Sequence, residues 1–174
     1  MTETRQMDAE TTSESILEIT DLTKVYPDGT VAVEEISFDI KRGDFCVLIG
    51  PSGCGKSTTL HSIVGRFPIT EGSIHLDGVD ITDAPTYERD IGLVFQDFQL
   101  FPHLSVRENI AYGLERLDAA ADERDERVSE MLDIMRLTDL GDRSPEELSA
   151  GQKQRVALAR SLVLEPKLLL LDEP

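Results

Sequence analysis

Basic residues are scarce in this chain. Its 174 residues carry 17 Lys and Arg against 34 Asp and Glu, a formal charge of −17 at pH 7, and only five of the 17 are lysines. A surface of that sign repels the phosphates of DNA and RNA, so a nucleic-acid partner is disfavoured. The acid is spread along the chain and not gathered in one tail. An evenly acidic, lysine-poor protein points to a high-salt cytoplasm, where screening tolerates the self-repulsion. Long apolar runs are lacking as well. The longest, near Leu168 to Leu171, has the length of a buried strand and falls far short of the roughly 18–20 residues that span a bilayer. The N-terminus is acidic and polar, unlike a signal peptide, so the chain is expected in the cytoplasm. The two cysteines, Cys46 and Cys54, match no metal spacing and are expected as buried or loop thiols in a reducing compartment. There is no G-x-G-x-x-G and no internal repeat. Asp77, Asp80 and Asp83 lack EF-hand spacing and read as a solvated loop. His61, His75 and His103 have no partner at ligand spacing.

What is present fits one domain with a real core, since 40% of the residues are hydrophobic. Residues 1–14, rich in Thr, Ser and Glu, are expected as a flexible acidic tail. From Ile16 to Ile40 the pattern is strand-like, broken by the turn Tyr26-Pro27-Asp28-Gly29. The apolar run Phe45-Cys46-Val47-Leu48-Ile49 predicts a buried strand of a parallel sheet. A Gly-rich loop and a helix to about Arg66 follow, then short strands at Ser73–Leu76 and Ile91–Phe95. After Phe95 the character turns helical. Ser105 and Glu108 form a capping-box pattern that opens a helix to about Leu117. A second helix is predicted from about Asp122 to Leu137, with Val128, Met131, Leu132 and Met135 on one face. Ser144-Pro145-Glu146-Glu147 is a further capping pattern with Pro at the first helical position. A helix from about Gln152 to Leu164 leads into the apolar strand Leu168–Leu171. The expected order is thus a mixed sheet, a helical insert, and a return to a buried strand.

Gly50-Pro51-Ser52-Gly53-Cys54-Gly55-Lys56-Ser57-Thr58 matches G-x-x-x-x-G-K-[ST], with a predicted strand before it and a helix after it. Gly50, Gly53 and Gly55 let the backbone wrap closely, so that its N–H groups point at phosphate oxygens. The helix N-terminus adds partial positive charge. Lys56 is placed to reach the β- and γ-phosphates and the Ser57 hydroxyl to ligate Mg²⁺. The bland alternative is a chance Gly-rich turn, expected well under about 1% of the time at average Gly usage. Leu168 to Leu171 then runs into Asp172 and Glu173, two acids at the carboxyl end of a strand, the end that faces ligands in open α/β sheets. Asp172 is placed to hold Mg²⁺ and Glu173 to orient or deprotonate a water. Without the phosphate loop, two solvated acids at a frayed end would be an equal reading.

Four further segments resemble the ATP-binding-cassette (ABC) ATPase family. Leu148-Ser149-Ala150-Gly151-Gln152 is similar to the LSGGQ signature, with Ala150 in place of its first Gly. Gln96 stands where the family has its Q-loop glutamine, Tyr26 where an aromatic stacks on adenine, and Leu168–Glu173 where it has Walker B. The match runs from Ile16 to Pro174. It implies an α/β P-loop NTPase fold: a RecA-like core over 15–96 and 165–174, an antiparallel β subdomain, and a helical subdomain over about 97–164. It implies ATP and Mg²⁺ as ligands. Tyr26, residues Gly50 to Thr58, Gln96 and Asp172 would bind nucleotide, with Ser57, Gln96 and Asp172 on the metal and Glu173 and Gln96 catalytic. The signature residues Ser149, Ala150, Gly151 and Gln152 would meet ATP held by a second subunit in a homodimer. Ser149 and Gln152 also form a capping box, which makes a helix N-terminus suited to an anion.

The stretch from Arg89 to Val106 is similar to ATPase subunits of importers for polyamines, ferric iron, sulfate, molybdate or sugars. The resemblance implies membrane permease partners, an indirect solute-binding protein, and a place on the inner face of the membrane. Phe98, Leu100, Phe101 and Leu104 would then meet a permease helix, or else serve as ordinary core. By the same comparison the chain is incomplete at its C-terminus: the D-loop, the switch-histidine region, the final strands and a regulatory domain are missing. A missing strand between Walker A and Walker B would leave buried backbone groups unpaired, at roughly 1–3 kcal/mol each. Against a stability of about 5–15 kcal/mol that opposes independent folding. Three readings stay open: an importer ATPase, a non-transport ABC protein, and a remnant that binds ATP without productive turnover.

Overall fold

The computed structural model describes residues 15–117 and 120–173; the tail expected over residues 1–14 and the final Pro174 lie outside the described residues. Two compact units divide the chain, one ending at Pro85 and the other beginning at Thr86.

The first unit is built on alternation. Strands β1 (Ser15–Val25) and β2 (Val31–Lys41) pair antiparallel. The turn between them is closed by Gly29, whose N–H donates to Tyr26 O at 2.9 Å and whose φ of 85° suits only glycine well. Asp28 Oδ1 accepts the Thr30 N–H at 2.9 Å, which lowers the Asp28 carboxyl pKa. β1 also pairs antiparallel with β3 (Glu71–Leu76), and β3 with the short β4 (Val79–Asp80), in the order β2-β1-β3-β4. The inward positions meet across this ladder: Leu17 opposite Leu76 and Ile19 opposite Ile74, all buried. Helix α1 (Lys56–Ile63) follows the Gly-rich loop. It stops short of the expected Arg66 because Gly65, with φ of 83°, turns the chain out of the helix.

Two expectations fail in this unit. The sheet is wholly antiparallel and not mixed. The run Phe45–Ile49 is not a buried strand: it belongs to neither sheet, with Phe45 86% and Ile49 91% exposed. Hydrophobicity gives a segment its preference for burial, but a strand also needs a neighbour to supply its hydrogen-bond ladder. None of the described strands pairs with these residues.

In the second unit β5 (Ile91–Val94) pairs parallel with β6 (Leu168–Leu171), in register from Ile91–Leu168 to Val94–Leu171. Helices α2 (Val106–Ala111), α3 (Ala121–Ile134) and α4 (Ala150–Leu162) enclose a core that includes Val106, Ile110, Val128, Leu132, Val156 and Val163. Val128 and Leu132 are buried and Met131 and Met135 half-buried, so the helical face read from the sequence is the one that packs. α2 ends earlier than expected. Gly113 follows it, with only 2.8 Å between its would-be Cβ and Leu164 Cδ1, and a tight turn then covers Leu114–Leu117. Pro145–Glu147 makes a single helical turn, whose opening Ser144 N–H donates to Glu147 at 2.9 Å. At Ser105 the capping box forms as predicted. The N–H of Ser105 holds the Glu108 carboxyl below the usual carboxylate range.

Candidate functional site

The phosphate loop of the first unit is seated against β2. A Cβ on Gly55 would stand 2.5 Å from Ala32 O and 3.0 Å from Val33 Cγ2, and Gly55 has φ of 95°. Both facts demand glycine there. No side chain caps α1, and its first turn holds no acid, so none of these groups offsets the positive end of its dipole. Lys56 Nζ reaches back over the loop, donating to Gly50 O at 2.9 Å and Pro51 O at 3.0 Å, and lies 3.9 Å from Cys54 Sγ. Pro51, Ser52, Gly53 and Cys54 are exposed, while Ser57 and Thr58 are half-buried on the first turn. This donor set, with a cation and an uncompensated helix start, fits a polyphosphate.

Tyr26 stands beside this loop, its hydroxyl 3.3 Å from Thr58 Oγ1. Its ring is held edge-on by Phe67 at 6.1 Å, with Lys24 Nζ 5.5 Å from its centroid. Lys24 is buried and donates to Pro68 O at 2.6 Å. His61 packs edge-on to Phe67 at 5.1 Å. Of the aspartates set aside above, Asp77 pairs with Arg42 and Asp80 accepts the Thr82 N–H at 2.9 Å.

In the second unit the parallel pair β5–β6 brings Gln96 and Glu173 together. The two strands end in register, and Asp172 N continues the ladder to Val94 O at 3.0 Å. Gln96 Nε2 then donates to Glu173 Oε2 at 2.9 Å, and both side chains are exposed. The oxygens of Ser57, Gln96 and Asp172 are of the kind a hard divalent cation takes. The signature segment opens α4: Ser149 Oγ accepts the Gln152 N–H at 3.3 Å, and Gln152 Oε1 accepts the Ser149 N–H at 2.8 Å. Ser149, Ala150 and Gly151 are exposed, with open space where a Gly151 Cβ would point. Ser149→Ala is expected to cost about 1 kcal/mol. A thermal melt should therefore fall by roughly 2–4 °C, and an unchanged melt would mean that the cap does not form in solution.

Sequence reasoning misses Arg160 and Asn109, both of which organise the loop after Gln96. Arg160 looks like one more cation on α4, and Asn109 like an ordinary polar position of α2; neither has a local signal. Of the apolar residues there, Phe98, Leu100, Phe101 and Leu104 are all half-buried. Leu100 packs on the helical core, and Phe101 lies 4.4 Å from the Tyr112 ring centroid. Next to them a groove of about 520 Å³ is lined by residues that include Tyr87, Phe101, Tyr112 and Leu164.

The glycine-rich loop leading into α1 in the first unit, and the parallel strand pair ending in acids in the second, are consistent with the P-loop NTPase fold. The chain belongs to the ABC transporter family, whose model matches residues 33–174. It is 49% identical over 159 residues to the xylose/arabinose import ATP-binding protein XacJ of Haloferax volcanii, covering 91% of this chain and 41% of that protein. It is likewise 49% identical over 159 residues to the putrescine transport ATP-binding protein PotG of Escherichia coli, covering 91% and 42%. The chain thus spans about two fifths of the length of these curated relatives. Among solved structures it is similar to cbiO1 of Clostridium perfringens, described as part of the ABC transporter complex cbiONQ. The TM-score is 0.84 at 37% identity, covering 93% of this chain and 66% of that one. No helix among the described residues is long and apolar enough to cross a membrane.

Proposed function

We propose that the chain binds and hydrolyses ATP as the energy-coupling part of an ABC importer. The observation that carries this is the phosphate loop, where Gly55 is pressed against Ala32 O and α1 starts with neither cap nor acid. In this reading Tyr26 stacks on the base and residues Gly50 to Thr58 cradle the phosphates, with the Lys56 ammonium turning from the loop carbonyls to the β- and γ-oxygens. Ser57, Gln96 and Asp172 would hold Mg²⁺, which when bound neutralises charge on the phosphates. Glu173 orients and deprotonates the attacking water, and Gln96 fixes the Glu173 carboxylate through its amide.

The start of α4, from Ser149 to Gln152, with Ser149, Ala150 and Gly151 exposed, serves ATP held by a second copy of the subunit, which makes the working form a homodimer. The core over 15–96 and 165–174 and the helical subdomain over 97–164 belong to this proposal, as does a place on the inner face of the membrane. The groove beside Phe101 and Tyr112 takes an apolar helix of a permease, which in turn meets a solute-binding protein. Relatives named for pentoses, polyamines, ferric ions and glycerol phosphate match at 45–49% identity, so their common part is the ATP-driven step.

Calorimetric titration of MgATP into the chain in molar KCl tests this reading. The chain is expected to bind saturably and Lys56→Ala to bind at least about tenfold more weakly, since a charged phosphate contact is lost. Equal affinity in the two would overturn the phosphate-loop assignment.

A further inference from the structure

We propose that Arg160 is a positioning residue for Gln96. Its guanidinium holds the turn after Gln96 in place and ties that turn to α4, the helix opened by the signature segment. The inference rests on the reading of Gln96 and Glu173 as hydrolytic residues.

Phe98 and Gln99 both lie in the left-handed region, with φ of 59° and 41°. Non-glycine residues keep such conformations only where their surroundings enforce them, and two in succession need a strong clamp. Part of the enforcement is local: Phe98 N donates to Phe95 O at 3.0 Å and Gln99 N to Asp97 O at 2.7 Å. The rest comes from Arg160, some 60 residues away in sequence. Its Nη1 donates to Gln99 O at 2.8 Å and its Nη2 to Phe98 O at 3.1 Å. One planar fork thereby fixes two consecutive carbonyls, which a flexible ammonium would not do. The guanidinium also lies 5.2 Å from the centroid of the Phe101 ring.

Gln96 is thus bracketed. On one side is β5, tied to β6 by its ladder; on the other is a turn clamped to α4. Its amide meets Glu173 at 2.9 Å from within that bracket. With the clamp gone, the turn relaxes toward ordinary backbone angles and carries Gln96 with it. Because Arg160 also borders the groove beside Phe101, a helix seated there would press on the same clamp.

The chain has no tryptophan, so Phe98→Trp gives a single fluorescent reporter in the turn while keeping the carbonyl that Arg160 holds. In the full chain carrying this reporter, Arg160→Met and Arg160→Lys are compared with the parent for ATP turnover and reporter anisotropy. Arg160→Met is expected to lower kcat at least about tenfold with KM for ATP within about twofold, because small displacements of a catalytic group act on the transition state. Reporter anisotropy should fall with it. Arg160→Lys should recover part of both, since an ammonium can still meet one carbonyl. Unchanged kcat and anisotropy in a folded Arg160→Met chain would overturn the proposal. So would an equal loss in both variants that tracks a lower melting temperature, the mark of a merely structural role. If Arg160→Met does not fold, Arg160→Lys decides: lower kcat at constant KM supports the proposal and unchanged kcat overturns it. If the parent shows no turnover, the reading of Gln96 and Glu173 fails, and anisotropy alone decides whether Arg160 clamps the turn.

Discussion

Glu173→Gln is expected to lower ATP turnover by about 10²–10⁴-fold, the range for a lost general base, while MgATP affinity stays within about threefold. The substitution is nearly isosteric. Its amide oxygen can still accept the Gln96 Nε2–H that Glu173 Oε2 now receives at 2.9 Å. Geometry is therefore kept and basicity removed. The exposed strand-end position keeps the carboxylate accessible to water. Binding should survive because, in the proposed reading, the phosphates would be held by residues Gly50 to Thr58, Lys56 among them, and not by this carboxylate. Single-turnover kinetics with excess protein checks the chemical step, and calorimetry checks binding. Turnover within about threefold of the parent would mean that Glu173 is not the base and that its contact with Gln96 is structural. Loss of binding would mean that the carboxylate acts in nucleotide capture instead.

The parts of this site that were legible in the sequence are those whose physics is local. The phosphate loop is written in consecutive residues, because glycine conformations, the start of a helix and one lysine all act within a few positions. The Ser149–Gln152 box is similarly local: both of its hydrogen bonds span three residues. The heptad-like face of α3 is periodic and needs no knowledge of what covers it. What the sequence did not disclose depends on the third dimension. Phe45–Ile49 reads as a buried strand from hydrophobicity alone, but its exposure follows from which strands lie beside it. The helix ends were misplaced where a glycine or a left-handed residue such as Glu165 turns the chain sooner than apolar periodicity runs out. Arg160 is invisible for the same reason. A cation near the end of a helix is ordinary, and only the folded chain shows two carbonyls of positive-φ residues under it.

Truncating Asn109, which lies outside the residues proposed to bind nucleotide, is expected to cost stability. This residue is fully buried on α2, and its carboxamide laces the loop that follows the Gln96 turn. Oδ1 accepts the Phe101 N–H at 2.8 Å; Nδ2 lies 3.1 Å from Phe101 O, 3.1 Å from Leu104 O and 2.9 Å from Ser105 O. Asn109→Ala leaves the Phe101 N–H and the Leu104 carbonyl short of a partner, at roughly 1–3 kcal/mol for each group that stays dry, whereas Phe101 O and Ser105 O keep the backbone N–H groups of Leu104 and Asn109. Partial entry of water trims the total to about 3 kcal/mol, or a fall of roughly 6–12 °C in melting temperature for a chain of this size. Asn109→Asp separates lost hydrogen bonds from lost volume. It keeps the acceptor for Phe101 N–H but turns the donor into an oxygen facing the carbonyls, so its ionised form is penalised and its pKa in the fold is raised. The sign follows directly: the protonated acid, a donor, is tolerated at low pH, and stability falls as pH rises above the ordinary carboxylate range. Melts of Asn109→Asp should therefore approach the parent in acid and drop toward neutrality, relative to the parent at each pH. A pH-independent difference, or an Asn109→Ala melt within about 2 °C of the parent, would show that the 101–105 loop is held by its apolar contacts and not by this carboxamide.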